Sequence, residues 1–286
     1  MTDRNETSNH PFGWTPPADN RKQRLLFFTR SVGYEHAAIR RKEGELGYAE
    51  RALTEIGAKA GFEVECTKDG RVFDADLDQY DCFAFYTMGD LTRENKRNTP
   101  SMTAEGKTKL LEAIAAGKGF VGIHSASDTF YSEGVDPYIS MLGAEFCGHG
   151  PEQEAAMLVK SPAFPGMQRL GTSFTMFEEW YVFKKVHHDM HVILALDTGT
   201  MHGNLYHRPN VPATWARMYG EGRVFYTSLG HREEVCYGEI FEQVILGGVS
   251  WTMGNVGADV RPNFHEATPN GDYYRRMPVE NGSVSR

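Results

Sequence analysis

Short apolar runs alternate with amphipathic stretches through the first half of the chain. Apolar residues recur at spacings of three and four over 46–60 and again over 110–114, which predicts an amphipathic helix in each place. Gly61 is expected to end the first helix, and the Thr103 side chain to cap the second. This alternation predicts a doubly wound, mostly parallel sheet with helices on both faces. Strands are predicted at 24–29, 62–67, 80–87 and 120–123. The first is a buried apolar run, the third is nearly continuous in apolar residues, and the fourth is apolar enough to be buried on both sides.

The pattern changes after residue 150, where helical periodicity becomes weak and short β-like runs predominate. These runs are expected to be extra β-strands and long loops of the same α/β domain. Another strand is predicted at 223–229, followed by a helix at about 238–253 with one apolar face. The expected organisation is an irregular N-terminal arm at 1–23, a single domain at 24–254 and an irregular tail at 255–286. The added runs lie at 155–159, 180–183, 192–196 and 213–218.

Composition and charge argue against several classes of protein. Four Cys among 286 residues are too few for a disulfide scaffold, and without C-x-x-C spacing they are expected to be reduced thiols of a cytoplasmic protein. A net charge of -8, with scattered basic residues, argues against a nucleic-acid partner. No run approaches the ~18 apolar residues of a membrane span, and the polar N-terminus does not resemble a signal peptide. Neither a P-loop nor G-x-G-x-x-G occurs, so nucleotide binding has no support.

Three His residues follow predicted strands at the edge where an open parallel sheet binds its ligands. His36 comes after the first strand, His124 ends the fourth, and His231 ends the strand at 223–229. A further residue, His149, lies in a short segment after a predicted helix. We therefore expect these imidazoles to converge on one site at the carboxyl ends of the strands.

Converging imidazoles suit two chemistries, and the residues leave both open. His36, His124 and His231 could ligate a divalent metal, with zinc as the first candidate, and leave a position for water or substrate. The same groups could act as general acid and base near neutral pH. No H-E-x-x-H motif is present, so the metal prediction depends on the inferred positions alone.

Two segments around these His residues carry further candidate groups. Residues 122–126 have the outline of a nucleophile elbow, a strand-to-helix turn that presents its apex at the top of the sheet, and here the apex is His124. Glu233 follows the last of the strand-end His residues by two positions, where a carboxylate could orient the imidazole. Asp90 follows the third strand and Asp128 follows the elbow, so both are candidate substrate contacts.

The other His residues that we considered are weaker candidates. One cluster precedes the predicted strand at 192–196, at the opposite end from the expected site, and is predicted to lie on the surface. A second pair falls in a Gly-containing loop that would be either a lid or an ordinary loop. The cluster is His187, His188 and His191, and the pair is His202 and His207.

Six short motifs are spread over most of the chain: Gly33-Tyr34-Glu35-His36, Gly122-Ile123-His124-Ser125-Ala126, Leu142-Gly143-Ala144-Glu145-Phe146 with His149, Glu178-Glu179-Trp180-Tyr181, Pro212 with Trp215, and Gly230-His231. In order and spacing they resemble those of the trehalose-utilisation (ThuA-like) family, over about residues 25–254. The resemblance implies a flavodoxin-like fold of the class I glutamine amidotransferase-like group.

The sequence departs from the amidotransferases at the elbow. Those enzymes carry a Cys at the apex together with a His-x-Glu partner, which His231 and Glu233 resemble. His124 in the apex position cannot form the thioester that glutamine hydrolysis requires, and Cys147 lies off the elbow. The resemblance therefore implies a shared scaffold with a different reaction.

The association of the family with sugar catabolism, notably of 3-keto disaccharides, implies a sugar or keto-sugar substrate. Adjacent residues of a strand point to opposite faces, so only one of Glu178 and Glu179 is expected to face the site. The motif suggests Glu179, as an acid or base, with Tyr181 on the same face. Tyr34, Tyr181 and Trp215 are expected to pack against the sugar ring.

Two functions are compatible with these expectations. The first is an enzyme that hydrolyses, eliminates or isomerises a keto-glycoside, using His or metal chemistry with assistance from His149 and Glu179. A keto group acidifies the neighbouring C–H, so a base could expel the glycosidic substituent while a metal polarises the carbonyl. The alternative is a non-catalytic sugar- or metal-binding protein on the same scaffold. The N-terminal arm could pack on a neighbouring copy and give a homo-oligomer.

Overall fold

The computed structural model describes residues 21–273, whose chain forms one large sheet, a separate two-stranded ribbon and six α-helices. The strands are β1 (Arg24–Phe28), β2 (Glu63–Thr67), β3 (Cys82–Phe85), β4 (Gly119–Ile123), β5 (Glu145–His149), β6 (Gln153–Val159), β7 (Ser173–Glu178), β8 (Tyr181–Lys184), β9 (His191–Leu196), β10 (Val211–Tyr219) and β11 (Gly222–Thr227). The helices are α1 (Tyr48–Ala60), α2 (Ala104–Ala115), α3 (Pro137–Leu142), α4 (Glu233–Cys236), α5 (Glu239–Thr252) and α6 (Phe264–Ala267).

The nine-stranded sheet has two halves, in the order β2-β1-β3-β4-β11-β10-β9-β6-β7. Every pairing from β2 to β11 is parallel, and we call these five strands the parallel half. Every pairing from β11 to β7 is antiparallel, and β10, β9, β6 and β7 are the antiparallel half. Strands β5 and β8 form the separate ribbon. The predicted doubly wound α/β fold is confirmed, and the later strands extend the same sheet.

Strand β1 shows why the sheet is covered on both faces. Leu25 and Phe27 belong to the core that contains the apolar faces of α1 and α5. Leu26 and Phe28 belong to the opposite core, with α2 and α3. All four side chains are fully buried. Alternate residues of a strand point to opposite faces, so a continuous apolar run is stabilised only between two cores.

The ends of the first two helices follow the predicted chemistry. The Thr103 hydroxyl accepts a hydrogen bond of 2.8 Å from the backbone N–H of Gly106 at the start of α2. Gly61 ends α1 in the left-handed conformation, with φ of +87°, which glycine adopts without a steric penalty.

A buried carboxylate fixes the start of α1 to the sheet. Glu50 is fully buried and accepts hydrogen bonds from the backbone N–H of Gly47, the hydroxyl of Thr29 and the guanidinium of Arg41. Burial opposes its charge, but these hydrogen bonds hold the pKa of Glu50 below its ordinary value. The ionised carboxylate therefore joins α1 to the segment that follows β1.

Some segments differ from the sequence prediction. Strands β5 and β7 were not predicted. Strand β7 gave a weak pattern because it lies at the sheet edge and mixes exposed polar and apolar residues. Helix α6 lies within the tail that was expected to be irregular at 255–286. The remainder of that tail, 274–286, and most of the N-terminal arm, 1–20, lie outside the described residues. Within 21–273, no helix has the length and apolar character needed to cross a membrane.

The prediction of a surface position is wrong for His191, which is the first residue of β9 and is buried. Its Nδ1 donates to the carbonyl of Arg261 at 2.8 Å, and its Nε2 lies 2.8 Å from the hydroxyl of Ser161. Both ring nitrogens therefore have partners, and His191 holds the segment before α6 against the sheet.

Candidate functional site

Three imidazoles meet at the carboxyl edge of the parallel half. His36 lies in the loop after β1, His124 follows β4, and His231 lies shortly after β11. The ring centroids of His36 and His124 are 4.9 Å apart, those of His36 and His231 5.3 Å, and those of His124 and His231 5.2 Å. The structure thus brings together the three His residues that follow predicted strands.

His124 is the apex of a sharp turn between β4 and the 3-10 turn His124–Asp128. Its backbone is left-handed, with φ of +46°, which costs a non-glycine residue roughly 1–2 kcal/mol. Gly122 is required before the turn, because a Cβ there would come within 2.9 Å of Leu142 and Tyr226. The Tyr226 hydroxyl donates to the His124 carbonyl at 2.7 Å. The turn therefore presents a buried imidazole at the top of the sheet, in the manner of a nucleophile elbow.

The central carboxylate of the site comes from the linker between β7 and β8. Glu179 Oε2 lies 3.1 Å from His231 Nδ1 and 3.4 Å from His124 Nε2. Its Oε1 lies 3.0 Å from His149 Nδ1. One buried carboxylate thus contacts imidazoles from three separate segments of the chain.

Four side chains form a candidate metal centre. One potential ligand atom from each of His36, His124, Glu179 and His231 lies within 4.8 Å of the others. Three of these residues are buried and His231 is partly buried. Imidazole nitrogens with a carboxylate oxygen are a donor set that suits zinc and similar divalent transition metals.

The tautomer of neutral His124 follows from one hydrogen bond. Its Nδ1 lies 2.7 Å from the carbonyl oxygen of Ser228, which can only accept, so Nδ1 carries a proton. The Nε2 of the neutral ring then carries the lone pair, and it faces His231 Nδ1 at 3.3 Å. A backbone carbonyl on the outer nitrogen is typical of a His that ligates a metal.

Burial keeps two of the imidazoles neutral. Desolvation, followed by the neighbouring imidazoles of His124 and His231, lowers the pKa of His36 well below its ordinary value. Desolvation also lowers the pKa of His124, although the hydrogen bond that its protonated ring would donate to Glu179 opposes this. Both rings are therefore unprotonated at neutral pH, which is the form that binds a metal.

His231 and Glu179 form the charged pair of the site. Burial opposes the charge of His231, but the hydrogen bond and charge of Glu179 raise the pKa of this imidazole. Burial likewise opposes the charge of Glu179, and its contacts with the imidazoles of His124 and His231 hold its pKa well below the usual range. The carboxylate is therefore ionised, and His231 is the strand-end imidazole that most readily carries a proton.

Three further predicted residues lie around this centre. His149 ends β5 with 34% of its side chain exposed, and its Nδ1 also donates to the carbonyl of Gly150 at 2.9 Å. Tyr181 is buried, with its ring centroid 4.2 Å from that of His124. Tyr34 is 52% exposed and stands edge-on to His36 at 5.0 Å. Tyr181 thus supports His124 from within the protein, whereas Tyr34 lies on the rim.

Two predicted roles do not fit the observed positions. Trp215 is fully buried in β10, stacks on Tyr226 at 4.2 Å and donates to the carbonyl of Leu142, so it is a core residue that a sugar cannot contact. Glu233 begins α4, and the ion pairs of His231 within the described part of the chain are formed with other carboxylates. The carboxylate on the outer nitrogen of His231 is instead that of Glu152, at 3.3 Å from Nε2.

The two Asp residues have different surroundings. Asp90 accepts hydrogen bonds from Thr92 and Arg93 in its own turn, so its carboxylate has hydrogen-bond partners without a substrate. Asp128 ends the 3-10 turn after the elbow and is largely shielded from solvent. Burial, with a smaller contribution from the charge of Glu145, raises the pKa of Asp128 to about 7.

Three residues near the site escaped prediction. Glu178 was expected to point away, but β7 ends at this residue and its fully buried carboxylate lies beside the His231 segment, accepting from the backbone N–H of Gly230. Burial raises the pKa of Glu178 to about 7. Tyr86 follows β3, so the strand-end argument that selected the His residues could have found it. Glu152 lies in a loop, and no sequence signal marked it.

The fold and this imidazole–carboxylate centre define a flavodoxin-like α/β protein with its site at the carboxyl ends of the parallel strands. The chain belongs to the ThuA family, described as trehalose utilisation, whose family model matches residues 24–252. Membership suggests a role in trehalose utilisation. No curated protein matches the chain.

Solved structures support the same fold. A ThuA-like protein from Bacteroides uniformis is 16% identical, with a TM-score of 0.61 over 88% of this chain and 95% of that one. A ThuA-like protein from Parabacteroides merdae is 16% identical, with a TM-score of 0.60 over 84% and 93%. A protein from Salmonella typhimurium described as cytoplasmic is 12% identical, with a TM-score of 0.53 over 84% and 99%.

Proposed function

We propose that this protein is a metal-dependent enzyme of sugar catabolism. The observation that carries the proposal is the convergence of His36, His124, Glu179 and His231, whose ligand atoms lie within 4.8 Å of one another. Four donors from four separate segments meet at the edge where open α/β sheets bind their ligands. Zinc is the first candidate, because three nitrogens and one carboxylate oxygen suit it.

The donor set fits a metal in two independent respects. The Nδ1 of His36 is buried and has no hydrogen-bond partner among residues 21–273, an arrangement that costs roughly 1–3 kcal/mol for a polar group. A cation at this centre would give the buried imidazole a favourable partner. In addition, Ser228 fixes the tautomer of His124 so that its Nε2 lone pair faces the same centre.

The metal, when bound, would supply Lewis-acid polarisation of a substrate carbonyl. His149 is the site imidazole outside the ligand set, and we assign it the proton transfer. Its Nδ1 donates to Glu179 and to the Gly150 carbonyl, so the neutral ring has its lone pair on Nε2. That lone pair can take the acidic proton next to a keto group. The electron pair of that C–H bond forms a C=C bond as the C–O bond to the leaving sugar breaks. The electron pair of the C–O bond stays on oxygen, and His149 returns the proton there.

The proposed substrate is a keto-glycoside, on the strength of the ThuA family's association with trehalose utilisation. Tyr34 can offer an apolar ring face on the exposed rim beside His36. Asp128, at the end of the turn after the elbow, can accept a hydrogen bond from a sugar hydroxyl.

The test combines metal analysis with turnover of a 3-keto disaccharide. Protein purified without added metal is expected to hold about one zinc per chain. Removal of the zinc by a chelator should abolish turnover, and its return should restore it. His124→Ala should lose both metal and turnover, whereas His149→Gln should keep the metal and lose turnover. His202→Ala, in an exposed loop, is the matched control.

Each outcome has a defined meaning. Wild-type turnover by His124→Ala would refute the proposed centre. Metal bound at one per chain without turnover of any keto-sugar would favour the alternative, a sugar- or metal-binding protein. Turnover that survives complete removal of metal would leave acid–base chemistry by the imidazoles as the mechanism.

A further inference from the structure

The segments that carry Glu179 and His231 are not neighbours in the sheet. Glu179 follows β7 and His231 follows β11, and three strands, β10, β9 and β6, lie between them. No ladder of backbone hydrogen bonds therefore sets their separation. Yet Glu179 Oε2 and His231 Nδ1 lie 3.1 Å apart, so another interaction must hold the two segments in register.

A single buried side chain joins the two segments. Glu178 Oε1 accepts from the backbone N–H of Glu179 at 2.9 Å, and Glu178 Oε2 accepts from the backbone N–H of Gly230 at 3.3 Å. Glu178 is fully buried and forms no ion pair within the described part of the chain. A buried carboxylate without an ion-pair partner is costly, and the hydrogen bonds that compensate it come from this pair of N–H groups.

Gly230 is the point at which this register could fail. Its φ is +111°, a conformation that favours glycine, and a Cβ would come within 3.0 Å of the Phe241 ring. Glycine is also the residue with the greatest backbone freedom. The carbonyl of Gly230 accepts from the Tyr86 hydroxyl at 2.8 Å, and the Cys236 thiol lies 3.6 Å from the same oxygen. The residue before His231 is thus held on both its N–H and its C=O.

We infer that Glu178 and Tyr86 are positioning residues that fix His231 against Glu179 through Gly230. We call Glu178, Tyr86 and Gly230 the Gly230 clamp. Neither clamp side chain belongs to the proposed ligand set, so each acts through His231 and Glu179. The test by metal affinity rests on the proposed function. A second test on metal-free protein therefore distinguishes failure of the clamp from failure of the metal function.

The first test measures Co²⁺ affinity by competition with a chromophoric chelator at pH 8. Tyr86→Phe removes only the hydroxyl on the Gly230 carbonyl. Glu178→Gln turns an amide NH2 toward one of the two N–H donors. Each variant is expected to weaken Co²⁺ binding about 10- to 100-fold, as loss of an outer-shell partner does, and to alter the visible spectrum of bound Co²⁺.

Two matched controls separate positioning from stability. Tyr80→Phe removes a hydroxyl from another buried Tyr, whose partner is Glu65 outside the site. Glu50→Gln removes a buried carboxylate at the start of α1. Both controls should bind Co²⁺ with wild-type affinity and spectrum, even where Glu50→Gln unfolds more easily. Wild-type affinity and spectrum in both clamp variants would overturn the inference.

The second test uses metal-free protein labelled with ¹⁵N-histidine. The ring-nitrogen resonances of His231 should shift in Tyr86→Phe and in Glu178→Gln and stay unchanged in the two controls. If the wild type binds no Co²⁺ but these resonances shift, the clamp stands and the proposed metal function fails. If the wild type binds Co²⁺ and neither affinity nor resonances respond, the clamp fails and the metal function stands.

Discussion

The two halves of the sheet contribute to the same site by different routes. The parallel half supplies His36, His124 and His231 from segments that follow its strands, because the carboxyl ends of parallel strands meet at one edge. Glu179 instead arrives from the linker after β7, at the far edge of the antiparallel half. Strand topology brings the segments that carry the imidazoles to one edge, whereas the carboxylate reaches them from across three intervening strands.

The sharpest test of this comparison removes one ligand from each route. His124→Ala and Glu179→Gln are both expected to lower zinc affinity by more than the ~10- to 100-fold typical of outer-shell changes, because each deletes a donor. Turnover should fall at least as far in both. Competition with a chelator and steady-state kinetics provide the measurements. Tight zinc binding by Glu179→Gln would show that the strand-end imidazoles suffice as ligands.

The next largest effect concerns the antiparallel half itself. Trp215→Ala should lower the free energy of unfolding by about 3–5 kcal/mol, because it empties a fully buried site in β10. Urea denaturation measures the loss. KM for a keto-sugar should stay near its wild-type value under native conditions. A raised KM with unchanged stability would restore Trp215 as a substrate contact.

A smaller effect is expected at the anchor of the parallel half. Glu50→Gln should cost about 2 kcal/mol of unfolding free energy near pH 7, since it weakens hydrogen bonds to a charged group. The pKa of Glu50 is lowered in the folded protein. Its contribution is therefore complete above the ordinary Glu pKa and is lost as pH falls through the folded value. Unfolding curves of wild type and variant should converge toward acid pH, and a constant difference would contradict this assignment.

The smallest effect is expected at the rim. Tyr34→Ala removes an exposed ring beside His36 and should raise KM for a keto-sugar about two- to tenfold, in line with the ~0.5–1.5 kcal/mol of an aromatic contact. Zinc content and kcat should not change. Tyr237→Ala, another exposed Tyr, is the control. Equal KM values for both variants and the wild type would remove Tyr34 from the substrate site.

Sequence reasoning succeeded where a residue's position follows from periodicity. The buried strands and the helix caps of the parallel half could be located, and with them the three strand-end His residues. It failed where long-range packing decides. The residues around Trp215 do not distinguish a buried aromatic from an exposed one, and its partner Leu142 is distant in sequence. The partners of His191 are likewise distant in sequence, so nothing local indicated its burial.

Carboxylates were the hardest groups to place. Glu233 lies at the right spacing from His231, but α4 begins there and Glu152 from a distant loop takes that position instead. Glu178 and Glu179 were treated as strand neighbours with opposite directions. The strand ends between them, so the rule of alternation no longer applies and both reach the same side.

The left-handed turn at residue 124 is held in place independently of the side chain that it presents. Its backbone is held through the carbonyl, which accepts from Tyr226 and Ser127, and neither contact involves the imidazole. The side chain at this position can therefore differ between proteins of this fold without any change in the contacts that hold the turn. The elbow thus holds its backbone independently of the reactive side chain, so proteins with the same strands can carry out different reactions.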